Sequence, residues 1–169
     1  LLIIFLVFLQ KVDRSPYQSK AFYTEMSTRL DSLDQSWQPS PDSSVLKAGW
    51  SIINITPGKL VPLAGYGARD PKEMTEVNDS SFARTVVLKK SKRKVAIIAA
   101  DLLIIHPELS KTLWQSLPPG WKRNEIYLTA THTHSGQGGW APGLVGELFA
   151  GSYDTQTITR ISKQMVASI

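Results

Sequence analysis

The sequence predicts an α/β fold, a layered mixed sheet with flanking helices, of which this chain carries a partial domain. Short β-rich runs dominate residues 45–128, and a helical pattern at 107–117 lies between two of them, at 95–100 and 125–130. The run at 95–100 is nearly all apolar, which predicts a strand buried on both faces. Buried strands in the order strand, helix, strand indicate helices layered on a sheet. With 169 residues, of which 42% are hydrophobic and 20% charged, the chain can bury a core.

The chain opens on an apolar run, residues 1–9, which predicts a hydrophobic signal or membrane-anchor segment at residues 1–12 with a truncated start. A helix needs about 20 apolar residues to span a bilayer, so this run can form only the end of a spanning segment. Residues 10–14 lack the small-x-small pattern of a signal-peptidase site, which favours an uncleaved anchor. We therefore expect a membrane-anchored or exported protein, on the periplasmic or extracellular face.

Residues 13–44 predict an amphipathic helix followed by a Pro/Ser linker. Four apolar side chains between residues 17 and 35 have helical spacing, which indicates a packing face. They are Phe22, Met26, Leu30 and Leu33. Residues 36–44 are rich in Pro and Ser, as linkers are. The boundary of the following module is predicted near Val45, so that the module comprises residues 45–169.

The strands of this module each have a sequence signal. Apolar and polar residues alternate over 48–55 well enough to predict a strand, which ends at Thr56-Pro57-Gly58. Residues 82–88 and 95–100 predict a hairpin, with a run of basic residues between its strands. The run consists of Lys89, Lys90, Lys92, Arg93 and Lys94. It is interpreted as a solvated turn, with a patch that rests on anionic lipid as the functional alternative.

The last residues predict a helix that Asp154 or Thr155 caps. Apolar residues keep helical spacing up to Ile169, and no Gly, Pro or basic last turn follows. We therefore expect the sequence to be cut inside this element and to be a fragment of a longer protein.

Composition limits the function classes. The net charge of +5 is compatible with an anionic partner, but no aromatic residues interleave the basic run and no nucleic-acid motif is present. We expect no nucleic-acid partner. The chain has no cysteine, so disulfides, thiolate zinc sites and a Cys nucleophile are excluded. A metal can be held only by nitrogen and oxygen.

Two histidines, His132 and His134, follow the strand predicted at 125–130. In extended backbone, side chains at i and i+2 project to the same face, so both rings can enter one cleft. Imidazole is a common zinc ligand, and a catalytic zinc needs about three protein ligands and an open position. The alternative is a pair of partly buried histidines hydrogen-bonded in a loop.

Three hydrolase families use such a pair. Metallo-β-lactamase-like hydrolases follow it with Asp and a third His, where this chain has Gly136 and Gln137. Amidohydrolase barrels place the pair on their first strand, whereas several strands come first here. Residues 129–139 resemble the signature of the neutral and alkaline ceramidases, Ser-Ala-Thr-His-Thr-His-Ser-Gly-Pro-Gly-Gly, from which this chain departs at Thr129 and Gln137.

Further segments resemble that family in the same order. They are 48–57, the Gly65-Tyr66-Gly67 turn, 78–85 and 99–102, so the resemblance covers about residues 45–169. It implies a zinc-dependent amide hydrolase that acts on N-acyl sphingosine (ceramide) or a similar N-acyl lipid. It also implies a lipid substrate and a membrane surface as partners. The oligomeric state is left open.

The resemblance also implies the site residues. His132 is expected to ligate the zinc, and His134 is the expected catalytic residue, orienting the substrate or the metal-bound water. The other family ligands fall later than this chain. His106, Arg84 and Asp101 are interpreted as structural. A non-catalytic, membrane-tethered ligand-binding module with the same fold, or a metallohydrolase of different substrate, remains as the alternative.

Overall fold

The computed structural model describes residues 12–36, 43–66 and 73–169, and these fall into two compact units that divide between residues 42 and 43. Apart from Val12, the predicted hydrophobic segment at 1–12 lies outside the described residues, as does most of the predicted linker. In the described part of the chain, no helix is both long and apolar enough to cross a membrane.

Within residues 12–36, the described part of the N-terminal unit, there is one α-helix. This helix, α1, comprises Ala21–Ser36 and follows a short 3-10 turn at Tyr17–Ser19. A helix is therefore found where the apolar spacing predicts one. None of its residues is buried, and the four apolar side chains of the predicted face are all exposed. The predicted packing is thus not found among the residues of this unit that the structure describes.

The second unit is built on a mixed four-stranded sheet in the order β1-β2-β3-β4. The strands are β1 (Lys47–Asn54), β2 (Phe82–Lys90), β3 (Arg93–Ala100) and β4 (Ile126–Ala130). The pairs β1–β2 and β2–β3 are antiparallel, whereas β3 and β4 are parallel. Parallel neighbours need a crossover connection, and helix α2 (Pro107–Gln115) lies within it. The predicted α/β fold is confirmed.

The described residues of this unit form two further α-helices, α3 (Gly143–Ala150) and α4 (Thr155–Ala167). The hydrophobic core joins alternate residues of the sheet to α2 and α4. Its members include Ala96, Ile98 and Ala100 of β3, Leu109 and Leu113 of α2, and Ile158, Ile161 and Met165 of α4. The sequence analysis did not predict α3, whose exposed face carries Leu144, Val145, Leu148 and Phe149.

The opposite face of the sheet is exposed. Trp50, Val86, Ile97 and Tyr127 lie directly opposite one another across the four strands, and all four are exposed. The prediction that β3 is buried on both faces is therefore wrong for the described structure, since Ile97 is 40% exposed. Side chains alternate between the two faces of a strand, and helices cover only the other face.

The hairpin between β2 and β3 is confirmed. Lys90 pairs with Arg93, so the turn consists of Ser91 and Lys92, and Ser91 adopts a φ of 52°. Two-residue hairpin turns commonly require a positive φ, because this matches the twist of the strands. The basic run is exposed except for Lys94, whose Nζ lies 4.0 Å from the centroid of the Trp121 ring.

Asp154 caps helix α4, and the cap makes a testable prediction. One carboxylate oxygen accepts a hydrogen bond from the backbone N–H of Gln156 at 2.9 Å, and the other accepts one from Thr157 Oγ1 at 3.1 Å. The Gln156 bond is the main cause that lowers the pKa of Asp154 below its usual range. We expect Asp154→Ala to lower the free energy of unfolding by about 1 kcal/mol at neutral pH.

The effect of this variant is expected to depend on pH. A carboxylate whose pKa is lowered by folding stabilises the protein above its unfolded pKa, and this stabilisation is lost as the folded carboxylate is protonated. The difference between wild type and Asp154→Ala should therefore shrink below about pH 4, which denaturant titrations from about pH 7 to about pH 2 measure. Thr155→Ala is the control, and a pH-independent Asp154 effect contradicts the prediction.

Candidate functional site

The structure brings His132 and His134 together just after β4. The backbone N–H of Thr131 still bonds to the carbonyl of Ala100, at 3.0 Å, and the two histidine rings then lie 5.0 Å apart between centroids, edge to face. His132 has a φ of 60°, so the backbone here is left-handed and not extended. The expectation that the two histidines follow the alternation of an extended strand is thus wrong. Their rings are neighbours because the loop turns at His132.

One ring nitrogen of His132 has a fixed partner. His132 Nδ1 lies 2.8 Å from the backbone carbonyl oxygen of Leu103. A carbonyl oxygen can only accept, so in this hydrogen bond Nδ1 carries the proton and the neutral ring has its lone pair on Nε2. Hydrogen bonds of this kind orient metal-ligating histidines in other proteins.

Arg84 and Asp101 hold the segment that carries this carbonyl. Arg84 Nη1 donates to both carboxylate oxygens of Asp101, at 2.9 and 2.8 Å, and the same carboxylate accepts from the backbone N–H of Phe82. The backbone N–H of Asp101 donates in turn to the Phe82 carbonyl at 2.9 Å. As predicted, the pair is structural, because it joins the start of β2 to the end of β3. Asp101 lies two residues before Leu103, the hydrogen-bond partner of His132.

His134 is half-buried against residues that the sequence analysis did not connect with it. The centroid of the His134 ring lies 4.6 Å from that of the Tyr66 ring. Gly65 lies so close to His134 Nδ1 that a side chain at position 65 would collide with the imidazole. The Gly-Tyr turn was noted only as part of the family resemblance. A contact between residues so far apart in sequence leaves no local pattern.

The glycines that follow the histidines form a loop anchored by backbone hydrogen bonds. Gly138 N–H donates to the Pro62 carbonyl and Gly139 N–H to the Ala150 carbonyl, both at 2.6 Å, while Gly136 accepts from Ala64 N–H at 3.0 Å. The loop is therefore held between the segment before Tyr66 and the end of α3.

Gln137, which stands where the family signature has Pro, anchors the same loop. Its side chain is 1% exposed, donates to the Ile55 carbonyl at 2.8 Å and accepts from the Arg160 guanidinium. Arg160 Nη1 also donates to the Ile55 carbonyl at 2.8 Å, and burial lowers the pKa of this guanidinium. The departure from the signature thus fixes the loop to the end of β1 and to α4.

His106 has the structural role that was predicted. Its Nδ1 accepts from the backbone N–H of Glu108 at 3.2 Å, which caps α2. Nowhere in the described ranges do three or more His, Asp or Glu side chains gather as a metal site. His132 and His134, the predicted site residues, thus lie close together, but the described residues do not complete a metal site around them.

A cleft of about 450 Å³ lies at one side of the glycine loop. Ser135 and Gln137 contribute to its wall, together with residues 56–57 and 74–79. Neither His132 nor His134 lines it, so this cleft is not the site that the histidines form.

The chain is similar to a known protein family and to solved structures. The sequence profile of the family described as "Neutral/alkaline non-lysosomal ceramidase, N-terminal" matches residues 47–169. Two solved structures are similar, a neutral ceramidase from Pseudomonas aeruginosa and a ceramidase described as complexed with C2. Each is 25% identical, with a TM-score of 0.67, over 75% of this chain and 21% of its own. The chain thus spans about a fifth of their length. A comparison with curated proteins gives no significant match.

Proposed function

This chain belongs to the neutral/alkaline non-lysosomal ceramidase family, and from this membership we propose that the full-length protein is a zinc-dependent amide hydrolase. Its proposed substrate is N-acyl sphingosine (ceramide) or a similar N-acyl lipid, and its products are a fatty acid and a sphingoid amine. Because the chain spans about a fifth of the solved ceramidases it matches, the activity is proposed for the whole protein.

The hydrogen bond between His132 and Leu103 is the observation that carries the proposal. It leaves the lone pair of the neutral imidazole on Nε2, which is the tautomer that a metal ligand needs when its other nitrogen is hydrogen-bonded. His132 is exposed, which is compatible with access of a metal to that nitrogen. The donor chemistry of this residue therefore fits zinc.

The remaining ligands are proposed to come from other parts of the full-length protein. A catalytic zinc has about three protein ligands, and the described residues offer no such set. When bound, zinc supplies a Lewis acid that polarises the amide carbonyl and lowers the pKa of water. His134, whose ring adjoins that of His132, is proposed to orient the substrate or the attacking water.

The membrane surface is the second proposed partner. Ceramide partitions into lipid, so the enzyme must draw it from a bilayer. Two features support this proposal, the apolar run at residues 1–9 and the basic run at the β2–β3 turn, which is exposed except for Lys94. Each Lys or Arg close to an anionic membrane contributes about 1 kcal/mol of attraction. An anchored or exported location is proposed on the same grounds.

A non-catalytic binding module is the rival function, and Gln137 in place of the family's Pro is the departure that leaves room for it. Because this side chain anchors the loop through Ile55 and Arg160, the substitution has a structural explanation and gives the rival no support.

The zinc content of the full-length protein and its hydrolysis of a fluorescent N-acyl sphingosine test the proposal. We expect about one zinc per chain and release of the fatty acid. Zinc without cleavage of any N-acyl lipid would point to a metallohydrolase of different substrate. Absence of both zinc and hydrolysis would leave the binding module and overturn the proposal.

A further inference from the structure

Left-handed backbone is concentrated around the histidines. Among the described residues, the non-glycine residues with positive φ are Tyr66 at 51°, Ser91 at 52° and His132 at 60°. Ser91 lies in the hairpin turn, which requires this conformation. A bulky residue with positive φ is strained and persists only where its surroundings impose it. Tyr66 and His132 both contact the ring of His134.

The ring of His134 is enclosed by these residues. The Tyr66 ring lies 4.6 Å from it, and the His132 ring 5.0 Å, between centroids. Gly65, with a φ of 91°, closes a further side, because a Cβ there would lie 2.6 Å from His134 Nδ1. Gly65 N–H donates to the Phe149 carbonyl at 2.9 Å, which ties the turn to α3.

Core packing does not explain why Tyr66 is held in a strained conformation. Its side chain is 60% exposed, so it buries little apolar surface, and a glycine at this position would relieve the strain. The strained conformation instead holds the aromatic ring of Tyr66 against His134. Strain of this kind is typical of positions where geometry serves function.

We propose that the Gly65-Tyr66 turn is a positioning element for His134, and that Tyr66 is its positioning residue. Gly65 admits the imidazole, and the Tyr66 ring limits its rotation, so that His134 keeps one orientation beside His132. His132 is held separately, by the Leu103 carbonyl, and does not need Tyr66. The consequence for catalysis rests on the proposed function, whereas the orientation of the ring does not.

The test uses the full-length protein with Tyr66→Gly, Tyr66→Asn and Tyr66→Phe. Glycine and asparagine tolerate positive φ but lack the ring, whereas phenylalanine retains it. We expect Tyr66→Gly and Tyr66→Asn to have at least the wild-type Tm and the wild-type zinc content. Their kcat should fall by about tenfold or more, a part of the roughly 10²–10⁴-fold that a positioned acid–base group contributes. Tyr66→Phe should retain activity. Ser91→Gly, which relieves the same φ in the hairpin, is the control and should leave kcat unchanged.

A chemical readout tests the orientation independently of activity. The rate at which diethyl pyrocarbonate modifies His134, followed by peptide mass spectrometry, should rise severalfold in Tyr66→Gly and Tyr66→Asn and stay at the wild-type value in Tyr66→Phe. Unchanged modification in the ringless variants overturns the proposal, as does a loss of kcat that only follows a fall in Tm. If the wild type cleaves no N-acyl lipid, the proposed function fails, and the modification rates still decide whether Tyr66 positions His134.

Discussion

Replacing His132 by alanine is expected to remove zinc from the full-length protein and to abolish most of its hydrolysis of N-acyl sphingosine. Even the loss of a residue that only supports a metal ligand lowers metal affinity 10- to 100-fold, so the loss of a ligand should lower it by more than about 100-fold. A catalytic metal contributes several kcal/mol to transition-state stabilisation, and about 4 kcal/mol corresponds to a factor of roughly 10³ in rate.

His106→Ala is the matched control, because it removes an imidazole that caps α2. We expect it to lower the free energy of unfolding by about 1 kcal/mol and to leave the zinc content unchanged. Metal analysis after dialysis, together with the rate of fatty-acid release, distinguishes the two variants. A His132→Ala protein that retains stoichiometric zinc would falsify the assignment of His132 as a ligand.

The sequence predicts those parts of the fold that depend on local signals. Two β-rich runs separated by a basic run predict the β2–β3 hairpin, and polar residues before an amphipathic run predict that Asp154 or Thr155 caps α4, where the structure has Asp154. Burial on both faces of β3 was wrong, because apolar composition does not reveal which face a helix covers. Helix α3 was missed, since its short glycine-interrupted pattern resembles a loop.

At the candidate site, the sequence predicts the histidine motif but not the residues that hold the two histidines in place. His132 and His134 are visible as a pair in the sequence, and the resemblance of their segment to the family signature implies a zinc site there. Their proximity instead depends on the positive φ of His132, which no local pattern in the sequence indicates. The contacts of Leu103 with His132 and of Tyr66 with His134 join distant segments, so only the folded chain shows them.

The glycine loop gives the second large effect, which concerns stability. We expect Gly138→Ala to lower the free energy of unfolding by about 3–5 kcal/mol, because overpacking costs about 1–3 kcal/mol and each displaced hydrogen bond about 1 kcal/mol more. A Cβ at this position would lie 2.0 Å from the Ala150 carbonyl oxygen and 3.0 Å from that of Pro62. Both are backbone atoms that accept the loop's hydrogen bonds, so neither can move without breaking them.

Gly49→Ala in β1 is the control, because a Cβ there meets no atom within 4 Å. It should change the free energy of unfolding by less than about 1 kcal/mol. Denaturant titration of both variants in the full-length protein measures the difference. A loss of about 3–5 kcal/mol is a large share of the roughly 5–15 kcal/mol that stabilises a typical domain, so Gly138→Ala should also unfold at a clearly lower Tm. Equal stability of the two variants would contradict the anchored loop and with it the fixed geometry around His132.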